Sequence, residues 1–219
     1  MRTFTPRWRT SALTAERMAT LFPAVEVPPG PLVAEELFGR VAPLVVEIGS
    51  GHGAAAVAYA ATHPHVDLIT AEVHVPGVAR MLAAAEVAGV ANLRVWRGDA
   101  LELLRSGVAP MSLAAVHLFF PDPWPKKKHG KRRFIQQHTL TLLHSRLAPD
   151  GVVRIATDHE VYAAHVRDQV AAHGGFEVRV VARPSWRPTD GFEAKGLAAG
   201  RRVVDLELRP LASPLDHQM

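Results

Sequence analysis

Leu44-Val45-Val46-Glu47-Ile48-Gly49-Ser50-Gly51-His52-Gly53-Ala54 is the stretch on which the fold turns. A short apolar run, interrupted only by Glu47, stops at glycines, which is the mark of a buried strand. Residues 53–62 are rich in alanine, the best helix former, so a helix follows at once. Strand, glycine turn and helix in immediate succession open a parallel α/β arrangement. Glycines let the backbone turn tightly and approach a ligand, and the helix N-terminus offers free N–H groups. Gly49, Gly51 and Ala54 also fit the dinucleotide pattern G-x-G-x-x-A, so this loop alone leaves its ligand open.

Working outward, the alternation continues. Residues 67–72, 93–96, 113–120, 152–157, 176–182 and 202–208 read as further strands. Residues 76–88, 100–105, 132–147 and 160–173 read as helices, the first with Pro76 in its opening turn and Gly89 at its end. The last two strands have no long helix between them and so predict an antiparallel hairpin at one edge. The expected fold class is α/β, a seven-stranded, mostly parallel sheet. Residues 1–31 are polar and contain arginines, with one short helix near 14–21, and read as a basic N-terminal extension. Residues 32–219 form the expected Rossmann-like domain.

The composition sets limits on chemistry. With 219 residues, the chain is long enough to bury a full core without disulfide or metal. No cysteine is present, which removes disulfides, thiolate zinc sites, iron–sulfur clusters and a cysteine nucleophile. No run of eighteen apolar residues occurs, and the arginines near the start have no apolar stretch behind them. The expectation is a cytoplasmic protein with no membrane partner and no metal, its oligomeric state left open. Lys126, Lys127, Lys128, Lys131, Arg132 and Arg133 crowd into eight residues; without them 19 basic residues face 21 acidic ones. The basic excess is local, and a local patch implies a local anionic partner.

Three acids stand at strand ends. Glu47 lies inside an apolar run, and a buried carboxylate needs a donor partner or a cationic ligand. Glu72 follows the second strand, 21 residues after Gly51, where an acid can accept both ribose hydroxyls of an adenosine. That role suits NAD and S-adenosylmethionine alike. Asp99 can hold an adenine amino group or simply cap a helix, since Asp99-Ala100-Leu101-Glu102 resembles a capping box.

The most informative segment is Leu118-Phe119-Phe120-Pro121-Asp122-Pro123-Trp124-Pro125-Lys126-Lys127-Lys128-His129-Gly130-Lys131-Arg132-Arg133. Three prolines stiffen the chain just past the fourth strand, at the ligand edge of an open parallel sheet. A rigid acid, an aromatic and a basic patch in succession suit an enzyme acting on a nucleic-acid base.

FPDPWPKKKHGKRR closely resembles the signature of bacterial tRNA (guanine-N7)-methyltransferases. EIGSGHG, AEVHVPGV, RGDA, ATDHEVYAAHV and RPTDGFEAKG resemble that family's other blocks in order, and the N-terminal RTFTPRWR matches too, so the resemblance spans nearly the whole chain. It implies a Rossmann-like class I S-adenosylmethionine-dependent methyltransferase that methylates N7 of a tRNA guanosine, at position 46 of the variable loop. It implies that Glu47, Gly49, Gly51, Glu72, Asp99 and Asp122 contact S-adenosylmethionine, with Asp122 catalytic. It implies that Lys126, Asp158, Asp190, Phe192 and Glu193 bind substrate. It implies that Lys128, His129, Gly130, Lys131, Arg132 and Arg133 contact RNA. The chain departs from the family's Thr-Lys-Phe-Glu at Asp190-Gly191, and a histidine and tryptophan before the last strand read Arg201 and Val204. Asp158 also reads as a cap for the helix that follows it. Three rival readings are an NAD-dependent dehydrogenase, a methyltransferase of exocyclic amines, and an RNA-binding protein that retains only the fold.

Overall fold

The computed structural model describes residues 11–189 and 191–211. Residues 11–108 with 184–188 form one compact unit, and 109–183, 189 and 191–211 a second.

The first unit carries β1 (Leu44–Ile48), β2 (Asp67–Ala71) and β3 (Leu93–Trp96), all parallel, with β2 in the middle. Ile48 pairs with Ala71, and Ala71 with Trp96, so the three carboxyl ends are level. Every residue of β1 and β2 is buried, as befits parallel strands covered on both faces. α1 (Ala12–Thr20), α2 (Ala34–Phe38), α3 (Ala54–Thr62), α4 (Val75–Val87) and α5 (Ala100–Glu102) accompany them. The His74 side chain caps α4, its Nδ1 accepting the Gly77 N–H at 3.2 Å. Val45, Val46, Leu68, Ile69, Val78, Met81 and Val95 make the core.

The described part of the expected extension is packed into this unit. α1 lies on α4. Phe22 and Val27 are buried. The outer side of β3 is paired: the Val95 N–H donates to the Val25 carbonyl at 2.8 Å, and the Val27 N–H to the Val95 carbonyl at 2.9 Å. Residue 31 is therefore no break in packing, and the residues before Ser11 lie outside the described ones.

The second unit orders its strands β4 (Leu113–Phe119), β5 (Leu147–Thr157), β7 (Val204–Pro210), β6 (Phe176–Val181). β4 and β5 are parallel; β7 runs antiparallel to β5 and to β6, which is the edge hairpin that the sequence predicts. α6 (Gln137–Arg146), α7 (Glu160–His173) and α8 (Gly191–Ala198) complete it. Among the described residues the strands number seven, three in the first unit and four in the second, as expected.

Several elements differ from the sequence reading: α2 has no counterpart in it, and β5 begins at Leu147, not at residue 152. The helix expected from residue 132 starts only at Gln137, because residues 127–132 form a tight 3-10 turn and Arg133 is extended. The Thr139 hydroxyl accepts the Gln136 N–H at 2.8 Å and sets the later start. α8 is an unexpected helix; its Gly191 and Gly196 give it a weak propensity signal.

Candidate functional site

In the first unit, the glycine loop leaves β1 at Ile48 and enters α3 at Ala54. Gly49, Gly51 and Gly53 have φ of +70°, +58° and +81°, a region that other residues enter only under strain. At Gly53 a side chain would also collide with Met81. A Cβ on Gly77 would strike the Gly51 carbonyl, so α4 packs directly on the loop.

Glu72 closes this loop. Its Oε2 accepts the Gly51 N–H at 2.7 Å, and its Oε1 accepts the Val73 and His74 N–H groups, each at 2.8 Å. A carboxylate has about four acceptor positions, so three amides leave room for one further donor. Glu47 is buried beneath, at 2% exposure. Burial, together with the charge of Glu72, pushes its carboxyl up to about 8, against the pull of the Arg187 guanidinium. Arg187 is itself buried, on a segment whose Trp186 ring meets Tyr59 edge-on at 4.9 Å. The Ser50 hydroxyl in the loop is buried with no hydrogen-bond partner among the described residues. Asp99 follows β3 and caps α5, its Oδ1 accepting the Leu101 N–H at 2.9 Å. Left-handed glycines, an orphaned hydroxyl and a buried carboxyl suit a small ligand carrying both hydroxyls and positive charge.

In the second unit, Phe119 pairs with Ala156, so the chain leaves β4 and β5 at the same level. Asp122 is exposed on the loop after β4, and Lys126, Lys127, Lys128 and Lys131 are exposed beyond it. Phe120 and Trp124 have φ of +49° and +41°, so the loop is held in a conformation costing about 1–3 kcal/mol per residue. The Arg132 guanidinium lies 4.6 Å over the Trp124 ring, and His129 meets that ring edge-on at 5.6 Å. Arg133 is turned inward: its Nε donates to the Pro123 carbonyl and its Nη2 to the Trp124 carbonyl, both at 3.0 Å. Two of its five N–H donors are thus directed at the loop itself, at a residue for which the sequence predicts an RNA contact.

Asp158 does not cap α7; that position belongs to His159. Asp158 instead accepts from Arg201 Nε at 2.8 Å. Gly196 of α8 passes so close that a Cβ there would collide with the Asp158 carboxylate. Glu193 is 2% exposed and accepts from Arg183 at 2.6 and 3.3 Å, while Arg183 also donates to the Thr189 hydroxyl at 2.8 Å. Phe192 is 67% exposed. The predicted Asp190 lies outside the described residues. Sequence reasoning picked the acids and missed their arginines, Arg183, Arg187 and Arg201. Arg187 opens the block RPTDGFEAKG and Arg201 stands at a departure from the family pattern, but neither position announces the acid it meets.

Among the described residues no group of three or more His, Asp or Glu could hold a metal ion, and no helix is long and apolar enough to cross a membrane.

Known proteins resemble this chain at two levels. A family model described as "Putative methyltransferase" matches residues 41–206. A tRNA (guanine-N(7)-)-methyltransferase of Leifsonia xyli subsp. xyli is 42% identical over 221 residues, 96% of this chain and 96% of that protein. Another, from Chromohalobacter salexigens, is 46% identical over 179 residues, 78% of this chain and 73% of that one. Among solved structures, the antibiotic-resistance methyltransferase Kmr matches with TM-score 0.56 and 18% identity, over 86% of this chain and 99% of its own. TrmN from Thermus thermophilus matches with TM-score 0.56 and 20% identity, over 81% of this chain and 47% of its own. The two structural likenesses are of fold.

Proposed function

The chain belongs to the tRNA (guanine-N(7)-)-methyltransferase family, and from that premise we propose how its residues divide the work of methylating N7 of a guanosine in tRNA. The reading is carried by one observation: an exposed carboxylate, Asp122, stands on a proline-stiffened loop directly after β4, and four exposed lysines follow it on the same stretch.

The methyl donor assigned to the first unit is S-adenosylmethionine. Glu47, Gly49, Gly51, Glu72 and Asp99 hold it, with Asp122 as a further contact. The residues present fit it: the free acceptor position on Glu72 suits a ribose hydroxyl, and the buried Glu47 carboxyl suits the ligand's positive charge. When bound, the donor supplies a methyl group already activated on a sulfonium, so the cofactor brings the difficult chemistry.

Guanine N7 has an in-plane lone pair and no proton at neutral pH, so no strong base is required. The chain's own contribution is orientation, which can be worth about 7–11 kcal/mol, and electrostatics at the ring. Methylation leaves the purine positively charged. Asp122 is the catalytic residue in this reading: its carboxylate faces that developing charge and accepts from N1–H or the exocyclic amine. Lys126, Asp158, Phe192 and Glu193 hold the nucleotide, with Asp158 and Glu193 oriented by Arg201 and Arg183; Asp190 is retained as a substrate contact. Lys128, His129, Gly130, Lys131 and Arg132 meet the RNA backbone. A base must be reachable to react, which favours a loop guanosine over a paired one. The compartment in this proposal is the cytoplasm, where tRNA is.

The test is transfer from labelled S-adenosylmethionine to unmodified tRNA, followed by nucleoside identification. Labelled 7-methylguanosine is the expected product. A different methylated nucleoside would overturn the base assignment, and absence of donor binding would overturn the donor.

A further inference from the structure

The loop that presents Asp122 is short of its own hydrogen-bond donors. Pro121, Pro123 and Pro125 carry no N–H, so the segment cannot be tied down by the amide ladder that fixes ordinary turns. Its carbonyls still need partners. Arg133 supplies them: Nε and Nη2 reach the successive carbonyls of Pro123 and Trp124, the two residues directly after Asp122. Arg133 is 8% exposed, whereas Lys126, Lys127, Lys128, Lys131 and Arg132 are all exposed. The arginine is itself anchored, its N–H donating to the Gly130 carbonyl at 3.1 Å and its carbonyl accepting from Gln136 Nε2 at 3.2 Å. The left-handed Trp124 sits between the two carbonyls that the guanidinium grips.

We propose that Arg133 is a positioning residue for the Asp122 loop and not an RNA contact. The proposal rests on the reading of Asp122 as the catalytic carboxylate. One planar guanidinium spans two consecutive carbonyls and thereby fixes the direction in which Asp122 leaves the loop. A lysine, a single-point donor on a flexible stem, cannot span both.

The test compares Arg133→Lys and Arg133→Ala with Asp122→Asn, using the full chain, unmodified tRNA and S-adenosylmethionine. The protein competent to bind donor is counted first by equilibrium binding, so that misfolded material does not enter the rate. For both Arg133 variants kcat should fall about tenfold to a hundredfold, the scale of misplacing a reacting group by roughly 1 Å. KM for tRNA and the salt dependence of tRNA binding should stay at wild-type values. Added guanidinium at millimolar concentration should restore part of the Arg133→Ala rate. A raised KM with kcat intact, and a salt slope lower by about 0.7, would make Arg133 a phosphate contact and overturn the proposal. Wild-type kcat in Arg133→Lys would overturn it too, while a dead Asp122→Asn would leave the Asp122 reading standing. Full activity of Asp122→Asn would instead remove that reading. Trypsin cleavage after Lys126, Lys127 and Lys128 then decides whether Arg133 holds the loop: faster in Arg133→Lys if it does, unchanged if it does not.

Discussion

Arg201 Nε donates to Asp158 Oδ2 at 2.8 Å, so the carboxylate that follows β5 is oriented by an arginine just before β7. The pair is partly exposed, with side chains 46% and 16% accessible. Solvent screening limits such a pair to about 1 kcal/mol. Arg201→Ala should therefore raise KM for tRNA by up to about fivefold, the factor that ~1 kcal/mol represents, with kcat and melting temperature little changed. Steady-state kinetics with unmodified tRNA check this; an unchanged KM would take Asp158 out of substrate binding.

Glu47 gives a pH dependence of definite sign. Its carboxyl titrates near 8 in the folded chain against an ordinary value of 4.5. A raised pKa favours the protonated form on folding, so its contribution to stability is full below about 4.5 and is lost as pH climbs toward 8. Glu47→Gln should flatten the decline of melting temperature across that window and melt higher than wild type at pH 8.

Binding a cation beside the same carboxyl should drive its proton off. At pH 7, association of S-adenosylmethionine should release up to about one proton per site. Calorimetry in two buffers of different ionisation enthalpy measures the number. A buffer-independent heat would place the donor's charge away from Glu47.

Glu72 is a ligand contact in the proposed function and already a clamp on Gly51, Val73 and His74. Glu72→Ala leaves three amide donors without their charged acceptor, each such bond being worth about 1.5–3 kcal/mol. Donor affinity should fall by more than tenfold together with a clear drop in melting temperature, whereas Glu72→Gln, which keeps one oxygen in place, should lose less of both. Fluorescence titration and thermal melts separate the two.

The lysines supply the salt dependence. Neutralising Lys126, Lys127, Lys128 and Lys131 together should flatten the slope of log affinity against log salt by up to about 3, at about 0.7 per phosphate contact. Filter binding over a salt series reads it.

Local pattern made most of this legible. β1, the glycine loop, β2 and α4 were readable because apolar runs, glycines and Pro76 act within a few residues of one another. The acids at strand ends were readable because a carboxylate near an apolar run demands an explanation. The arginines were not. Arg201 lies 43 residues from Asp158, and nothing in the spacing announces the pair. Arg133 was no more legible: a run of six basic residues looks uniform in one dimension, and only the folded loop shows which of them turns inward. α8 escaped because its two glycines mask a helix that Glu193 and Gly196 bury against the unit.

The pairing of Val25 and Val27 with Val95 has a consequence for solubility. An outer strand with free amides and carbonyls is a template for a neighbouring chain, and β3 would be such a strand if bare. Val25 and Val27 occupy that template with the protein's own backbone. They act as a built-in competitor against intermolecular β-pairing. A chain starting at Leu32 should therefore self-associate in a concentration-dependent way that light scattering detects, even if its glycine loop and Asp122 loop are untouched.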